Sequence, residues 1–429
     1  MSQEMFSFLV FSAMIIGFFI ASFPLKMPAA LALFVTGVVG AIAGGLGLSL
    51  WHILEGMFGF FEITALVLTA SIFIAFQRES RGLNVLVRDL ISVFYRVPPV
   101  LLIVLMFVLI LPGALAGSGT AAVMAVGGLV GTVLAYIGLS KVTIAAFVGM
   151  GGILALIAPP INLPAMIIAS GLNMPYSGFF GPLIIWTLFL GVTLPLIYGL
   201  KEVNKKIDPQ EILDKVPGGE FYLGRLGAYL PLIVVISLMV MQRAFPQALD
   251  PGIPLIFVIG SILAYFLPKK RLNFIGVTKE TIEKTGPVAA LFISVGVVVQ
   301  VMVATGVRGW IVIEATTAPE FFLFAGILLL IPIMGGVMGT YGVASIFAIP
   351  FMMALLRLDL IYAIAGMSML CCLASLTPPT AIVGRSGVLA TGYDGAYGKV
   401  LRVSAIPWVI VAGASLVTIL FANQLSAWF

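Results

Sequence analysis

The chain has 429 residues, of which 61% are hydrophobic and only 9% charged, and its mean hydropathy is +1.20. A water-soluble domain carries about 25% charged residues, so this composition excludes a soluble fold and points to an integral membrane protein. The net charge of +5 therefore reports on the loops between spans and gives no reason to invoke nucleic acid.

Met5 to Phe23 and Pro28 to Leu50 are each long enough to cross an apolar core of about 30 Å at roughly 1.5 Å per residue. No Lys or Arg precedes Lys26 and no small-residue cleavage pattern follows, so the first apolar run is expected to be a retained helix, not a signal peptide. A third span is expected over Gly56 to Gln77. Arg78 to Val97 then mixes apolar positions with Arg88, Asp89 and Arg96, as a helix lying along the interface would.

Two apolar segments follow, Pro99 to Ala116 and Ala121 to Ile137, separated only by Gly117, Ser118, Gly119 and Thr120. This is either a pair of full spans with a tight turn or a re-entrant hairpin over 99–137. A helix from Lys141 is interrupted at Ala158, Pro159, Pro160, Ile161 and Asn162 and resumes to Asn173, giving a broken helix over 141–173. Non-helical backbone at membrane depth is tolerable only where protein, water or a bound solute satisfies it, so both interruptions mark a site.

Tyr176 to Leu200 crosses back, and a polar connector, 201–225, carries Lys201, Lys205, Lys206, Lys215 and Arg225. The order then repeats: spans over Leu226–Arg243 and Ile253–Leu267, a charged segment Lys269–Gly286, a span Pro287–Thr305, a second apolar pair over 319–356, a second broken helix over 360–391 and a last span Ser404–Ala427. Pro112, Gly119, Thr120 and Val123 meet Pro332, Gly339, Thr340 and Val343 at constant spacing, and Pro159–Pro160 meets Pro378–Pro379 after a one-residue deletion. The fold expected is an all-α polytopic membrane protein of two repeats, 1–200 and 226–429, with interrupted helices in matching places, the sequence pointer to a secondary transporter's binding site.

With the N-terminus outside and both hairpins re-entrant, nearly all of the 22 Lys and Arg fall inside; only Arg243, Arg308 and Arg357 fall outside, and Arg385 lies in the membrane. That asymmetry is what the positive-inside rule demands. Both termini are then periplasmic in a bacterial inner membrane, and the repeats are inverted.

The segments FPLKMPAALALFVTGVVGAIAGGL, GSGTAAVMAVGG, LIAPPINLPAMIIASG and LTPPT, in that order, resemble the large membrane (M) subunit of tripartite ATP-independent periplasmic (TRAP) transporters and, more distantly, the ion transporter superfamily. The resemblance spans nearly the whole chain. It implies an elevator, in which two hairpins and two broken helices slide against a scaffold. It also implies sodium as the coupling ion with no other cofactor, a small membrane (Q-type) subunit, and a periplasmic substrate-binding protein delivering an organic anion such as a dicarboxylate or a sialic-acid-like sugar acid.

By position, the resemblance puts one sodium site at Gly117, Ser118, Thr120, Pro159, Pro160 and Asn162. It puts the other at Gly339, Thr340, Thr377, Pro378, Pro379 and Thr380, with Ser118, Asn162 and Thr340 also near the substrate. Unwound carbonyls and small hydroxyls are hard oxygen ligands, and half-helix C-terminal ends are negative, which suits Na⁺ independently. The family's first tip is commonly GSS, so Gly119 stands where a further hydroxyl would be expected. The alternative is a stand-alone ion-coupled organic anion carrier of the same superfamily, working without a binding protein.

Arg385, six residues beyond Pro379 in an apolar helix, is expected either to pair with a carboxylate or snorkel, or to clamp the substrate carboxylate in bidentate geometry. Glu62 is read as an interfacial carboxylate. An intramembrane serine protease is the rival suggested by Gly384–Gly387, GRSG, but the only histidine, His52, lies beside Trp51 at a span's end, so no enzyme is expected. Cys371 and Cys372 are adjacent in an apolar run and read as packing residues.

Overall fold

The computed structural model describes residues 2–203, 210, 213, 216–245, 251–317 and 319–428, leaving aside the side chains of 243 and 244. Lys205, Lys206 and Lys215 of the connector, and the Arg243 side chain, lie outside the described residues.

Helices account for the regular structure among the described residues, and eight of them are long and apolar enough to cross a membrane, or up to nine if a bent pair near the C-terminus counts as one span. The chain is a multi-pass membrane protein. The first half runs α1 (Gln3–Ser22), α2 (Ala29–Ala43), α3 (Leu50–Gly59), α4 (Phe61–Glu79), α5 (Gly82–Phe94), α6 (Pro98–Ala116), α7 (Gly119–Ala122), a π-helical turn Val123–Gly127, α8 (Gly128–Tyr136), α9 (Lys141–Ile157), α10 (Leu163–Gly171) and α11 (Phe180–Gly199).

The second half runs α12 (Arg225–Ala244), α13 (Ile253–Phe266), α14 (Phe274–Ala304), α15 (Val307–Thr317), α16 (Glu320–Met338), α17 (Thr340–Val343), a second π-helical turn Ala344–Ala348, α18 (Ile349–Ala354), α19 (Leu360–Leu373), a 3₁₀ turn Ala374–Leu376, α20 (Ile382–Thr391), α21 (Tyr397–Val403), α22 (Ala405–Leu420) and α23 (Ala422–Trp428).

Four expected spans differ. The second, expected over Pro28–Leu50, is helical only over Ala29–Ala43 before the chain turns into α3. The third span, expected over Gly56–Gln77, is broken at Phe60, and α3 instead crosses α14 where Gly56 meets Gly296: a Cβ on Gly56 would lie 2.6 Å from the Gly296 carbonyl oxygen. Conversely, the charged segment and the span expected to begin at Pro287 form one continuous 31-residue helix, α14.

The Asn273 side chain caps α14 by accepting the Gly276 N–H at 2.9 Å, and the pairs Lys279–Glu283 and Glu280–Lys284 support its polar first turns. Pro287 removes one amide, leaving the carbonyl four residues earlier, at Glu283, without its helical donor, but that stretch is polar and exposed enough for water to supply one. Finally, the last span, expected over Ser404–Ala427, is interrupted at Phe421, and α21 before it meets α22 at a bend of 57°.

Packing divides into two sets. In the first, α14 lies against α2, α3 and α4, while α13 lies on α4 and α1 on α2. In the second, α9 lies against α6 and α20, and α19 lies against α22 and α10, so each interrupted helix touches the other. Small residues permit the closest of these crossings: a Cβ on Gly387 of α20 would meet the Gly149 amide of α9 at 2.8 Å.

Each interrupted helix is also fastened at its outer end to the end of its own half. The Glu202 carboxylate, just past α11, accepts the Ser140 N–H at 2.7 Å and the Thr143 hydroxyl at 2.9 Å at the start of α9. Asp359, the N-cap of α19, accepts the Tyr362 N–H at 3.1 Å and the Ser426 hydroxyl of α23 at 2.7 Å, and its own N–H donates to Asn423 at 2.6 Å. At the junction of the halves, Asn84 and Arg88 of α5 donate to the carbonyls of Pro217 and Leu213, holding the end of the connector on α5.

Candidate functional site

The site is built from two turns and two helix breaks. In the first half α6 ends at Gly117, which adopts the left-handed conformation (φ +63°), and α7 restarts with Ser118 as N-cap, its hydroxyl oxygen accepting the Ala121 N–H at 3.2 Å. This turn lies on the break after α9, where the Ile161 N–H donates to the Ala114 carbonyl at 3.2 Å. Gly119 is backed directly onto α9: a Cβ there would sit 2.2 Å from the Gly152 carbonyl oxygen. The missing hydroxyl at this position is thus explained by contact, since no side chain fits.

Around the same break, Asn162 is completely buried and its amide is fully used. Its Oδ1 accepts the Ala165 N–H at 2.9 Å, capping α10, while its Nδ2 donates at 3.1 Å to both the Ile157 carbonyl and the Ser368 hydroxyl of α19. The Tyr176 hydroxyl donates to the Pro160 carbonyl and accepts the Asn162 N–H, both at 3.1 Å. Pro159 is buried and Pro160 half-buried. Ser118 and Thr120 are half-buried, and the Thr120 hydroxyl has no hydrogen-bond partner among the described residues.

The second half repeats the arrangement with different chemistry. Gly339 (φ +81°, ψ 164°) separates α16 from α17, and the Thr340 hydroxyl, 3% exposed, is hydrogen-bonded to the buried Ser375 hydroxyl. The Thr380 N–H and hydroxyl both donate to the Gly336 carbonyl, at 3.0 and 2.8 Å, so this turn too sits on its own break. Thr377 turns back to the Leu373 carbonyl at 3.3 Å. Pro378 and Pro379 are exposed, Ala381 is left-handed (φ +43°), and α20 begins without a side-chain cap.

Arg385 is exposed beside this break. It donates to the Pro379 carbonyl at 3.2 Å and lies 5.5 Å from the centroid of the Tyr397 ring, whose hydroxyl donates to the Leu376 carbonyl at 2.7 Å. Among the described residues no carboxylate lies within ion-pair distance of it. The two clusters also touch: the Tyr341 hydroxyl donates to the Gly117 carbonyl at 3.2 Å.

The donors gathered at both breaks are carbonyls and hydroxyls, a hard-oxygen set that fits an alkali cation. No group of three or more His, Cys, Asp or Glu that could hold a metal ion occurs among the described residues. Glu62 is exposed in the first turn of α4, Ser386 donates to the Ile382 carbonyl at 2.8 Å, and His52 lies 3.7 Å from Glu55 in α3. Cys371 and Cys372 are buried free thiols in α19.

No protein-family profile and no curated protein matches the sequence. Solved structures do match. The YdaH transporter of Alcanivorax borkumensis superposes with a TM-score of 0.61 at 14% identity, over 86% of each chain. MtrF of Neisseria gonorrhoeae, described as illuminating a class of antimetabolite efflux pumps, superposes with a TM-score of 0.59 at 14% identity, over 92% of this chain and 95% of that one.

This chain shares their fold. At such identity the likeness carries the backbone arrangement and leaves ligand chemistry to the residues present. Among those residues, Ser368, Ser375, Tyr176, Tyr341 and Tyr397 have no place in the sequence-derived set. Ser375 was within reach of sequence reasoning, as a small hydroxyl two residues before a break. The three tyrosines act across contacts that spacing does not encode.

Proposed function

We propose that the chain is a secondary active transporter that takes up an organic acid anion, a dicarboxylate or a sialic-acid-like sugar acid, by sodium coupling. One observation carries the reading: in both halves a glycine turn sits on its own helix break, through Ile161 to Ala114 and through Thr380 to Gly336, and the two assemblies meet at Tyr341 and Gly117. A pair of oxygen-lined breaks joined in this way suits cations held beside a solute.

In this reading Gly117, Ser118 and Thr120 with the 158–162 break form one sodium site, and Gly339, Thr340 and the 377–380 break form the other. Arg385, charged and without a carboxylate, clamps the anion together with Ser118, Asn162 and Thr340 nearby. The turn-bearing helices move as an elevator against the set built around α14. A periplasmic binding protein delivers the anion, a small membrane subunit extends the scaffold, and both termini face the periplasm of a bacterial inner membrane.

A second reading is a stand-alone carrier, either an importer or an exporter. It is favoured by the likeness over 95% of MtrF, a protein described with efflux pumps, because export needs no delivery protein.

Reconstitution separates the two. Liposomes holding this chain, with and without a small membrane subunit and a periplasmic binding protein from the same source, are loaded or challenged with labelled organic acids under a sodium gradient. Sodium-dependent uptake only with both partners supports the first reading, and counterflow by the chain alone supports the second. No movement of any organic anion in either arrangement would overturn both.

A further inference from the structure

Tyr341 occupies a position that neither the helix breaks nor the repeat pattern explains. It follows Thr340, whose hydroxyl pairs with Ser375 at the second break, yet its own hydroxyl reaches the other half of the molecule and donates to the Gly117 carbonyl at 3.2 Å. Gly117 is the left-handed residue at which the first turn is made, and a Cβ there would press on Leu163 and Ile161 at 2.6 and 2.8 Å. Its peptide is therefore wedged between the first break and Tyr341.

The ring of Tyr341 is held in turn by Phe292 of α14, with centroids 4.9 Å apart and planes at 46°. Two adjacent residues, Thr340 and Tyr341, thus address the two breaks separately. Any rotation of the Thr340–Tyr341 segment changes both contacts together.

We propose that Tyr341 is the coupling residue between the two cation sites, the phenol that makes the Gly117 turn and the Gly339 turn respond as one. This rests on the sodium-coupled reading above. A carbonyl oxygen has two lone pairs, so the Gly117 carbonyl can accept the Tyr341 hydroxyl and still face a cation. A cation that orders the Gly117 turn keeps that carbonyl in place for the phenol, and the phenol in turn holds the adjoining Thr340 side of the second site in its bonded geometry. Binding at one site then favours binding at the other, and by linkage the favour is mutual.

The test uses Tyr341→Phe, which keeps the ring against Phe292 and deletes only the hydroxyl. Hydrogen exchange of the purified full chain is read first, without sodium, at the peptide covering residues 113–122. Loss of one hydrogen bond of about 1 kcal/mol should speed exchange there by about fivefold. Unchanged exchange would overturn the tie between the turns.

The second readout is the sodium activation curve of transport. Two coupled sites give a Hill coefficient of up to about 2, and the variant should fall toward about 1. A merely structural role would lower the maximal rate and leave the steepness alone, and that result would overturn the coupling. Should the unaltered chain transport without regard to sodium, the functional reading fails, and the exchange rate at 113–122 still decides whether the turns are tied.

Discussion

The two breaks occupy corresponding places in the chain and are finished in opposite ways. The first is sealed: Asn162 is fully buried with every amide hydrogen bond taken, Tyr176 bridges Pro160 and Asn162, and α10 starts with a proper cap. The second is open: Pro378 and Pro379 are exposed, α20 starts uncapped after a left-handed Ala381, and Arg385 hangs beside the gap with a single carbonyl partner. Matching placement of two segments therefore does not imply matching chemistry. A buried, satisfied break gives its site a fixed frame, whereas an exposed one with unspent donors has room to adjust to what it receives.

The strongest way to break that contrast is at the two turn glycines. Gly119→Ala drives a methyl against the Gly152 carbonyl, and backbone cannot yield as a side chain can. A loss of about 3 kcal/mol is expected, read as a large drop in melting temperature of the detergent-solubilised chain. Gly339→Ala meets nothing within 4 Å and loses only for its backbone conformation, about 1–3 kcal/mol. Equal losses would mean that the turns are packed alike.

Asn162→Ala strands the Ala165 N–H and the Ile157 carbonyl and removes a donor from the Ser368 hydroxyl, which keeps its own bond to Ala365, and should lower stability by about 2–3 kcal/mol whether or not substrate is present. A variant of normal stability with altered sodium affinity would instead make the Asn162 amide itself, and not only the backbone of the break, a cation ligand.

Arg385→Ala leaves no buried group unpaired, so melting should hold while the half-saturating concentration of the anion rises about tenfold to a hundredfold, equivalent to about 1.5–3 kcal/mol. Arg385→Lys should recover part of this, because charge remains and the planar fork is lost. Normal uptake by the Ala variant would remove the clamp.

The smallest effect belongs to Thr380→Val, which deletes one of two hydrogen bonds to the Gly336 carbonyl and should cost about 1 kcal/mol. Thermal stability measured beside Asn162→Ala sharpens the contrast between breaks directly.

The sequence announced the interruptions because Pro-Pro pairs and glycine turns act locally: a helix cannot run through Pro159–Pro160 or Pro378–Pro379 with its amide ladder intact. What it could not announce was decided by contact between distant segments. The break at Phe60 accompanies the Gly56–Gly296 crossing, and the continuity of α14 through Pro287 depends on a stretch exposed enough to replace the lost donor. The two π-helical turns, each starting a few residues beyond a turn glycine, left no local trace either. Residue types alone nominated Asn162 and Thr340 together, yet one amide is fully spent and the other hydroxyl is tied to Ser375.

The carboxylates at the outer ends of the interrupted helices have a mechanical consequence. Glu202 fastens α9 to the end of α11, and Asp359 fastens α19 to α23, so neither helix can shift without hauling its half's final segment along. Those final segments present Leu188, Phe189, Ile406 and Val409 outward, each at least half exposed (50–65%). Any displacement that carries cargo would have to drag acyl chains with it, so turnover should slow in thicker or stiffer bilayers even when every ligand-binding group is untouched.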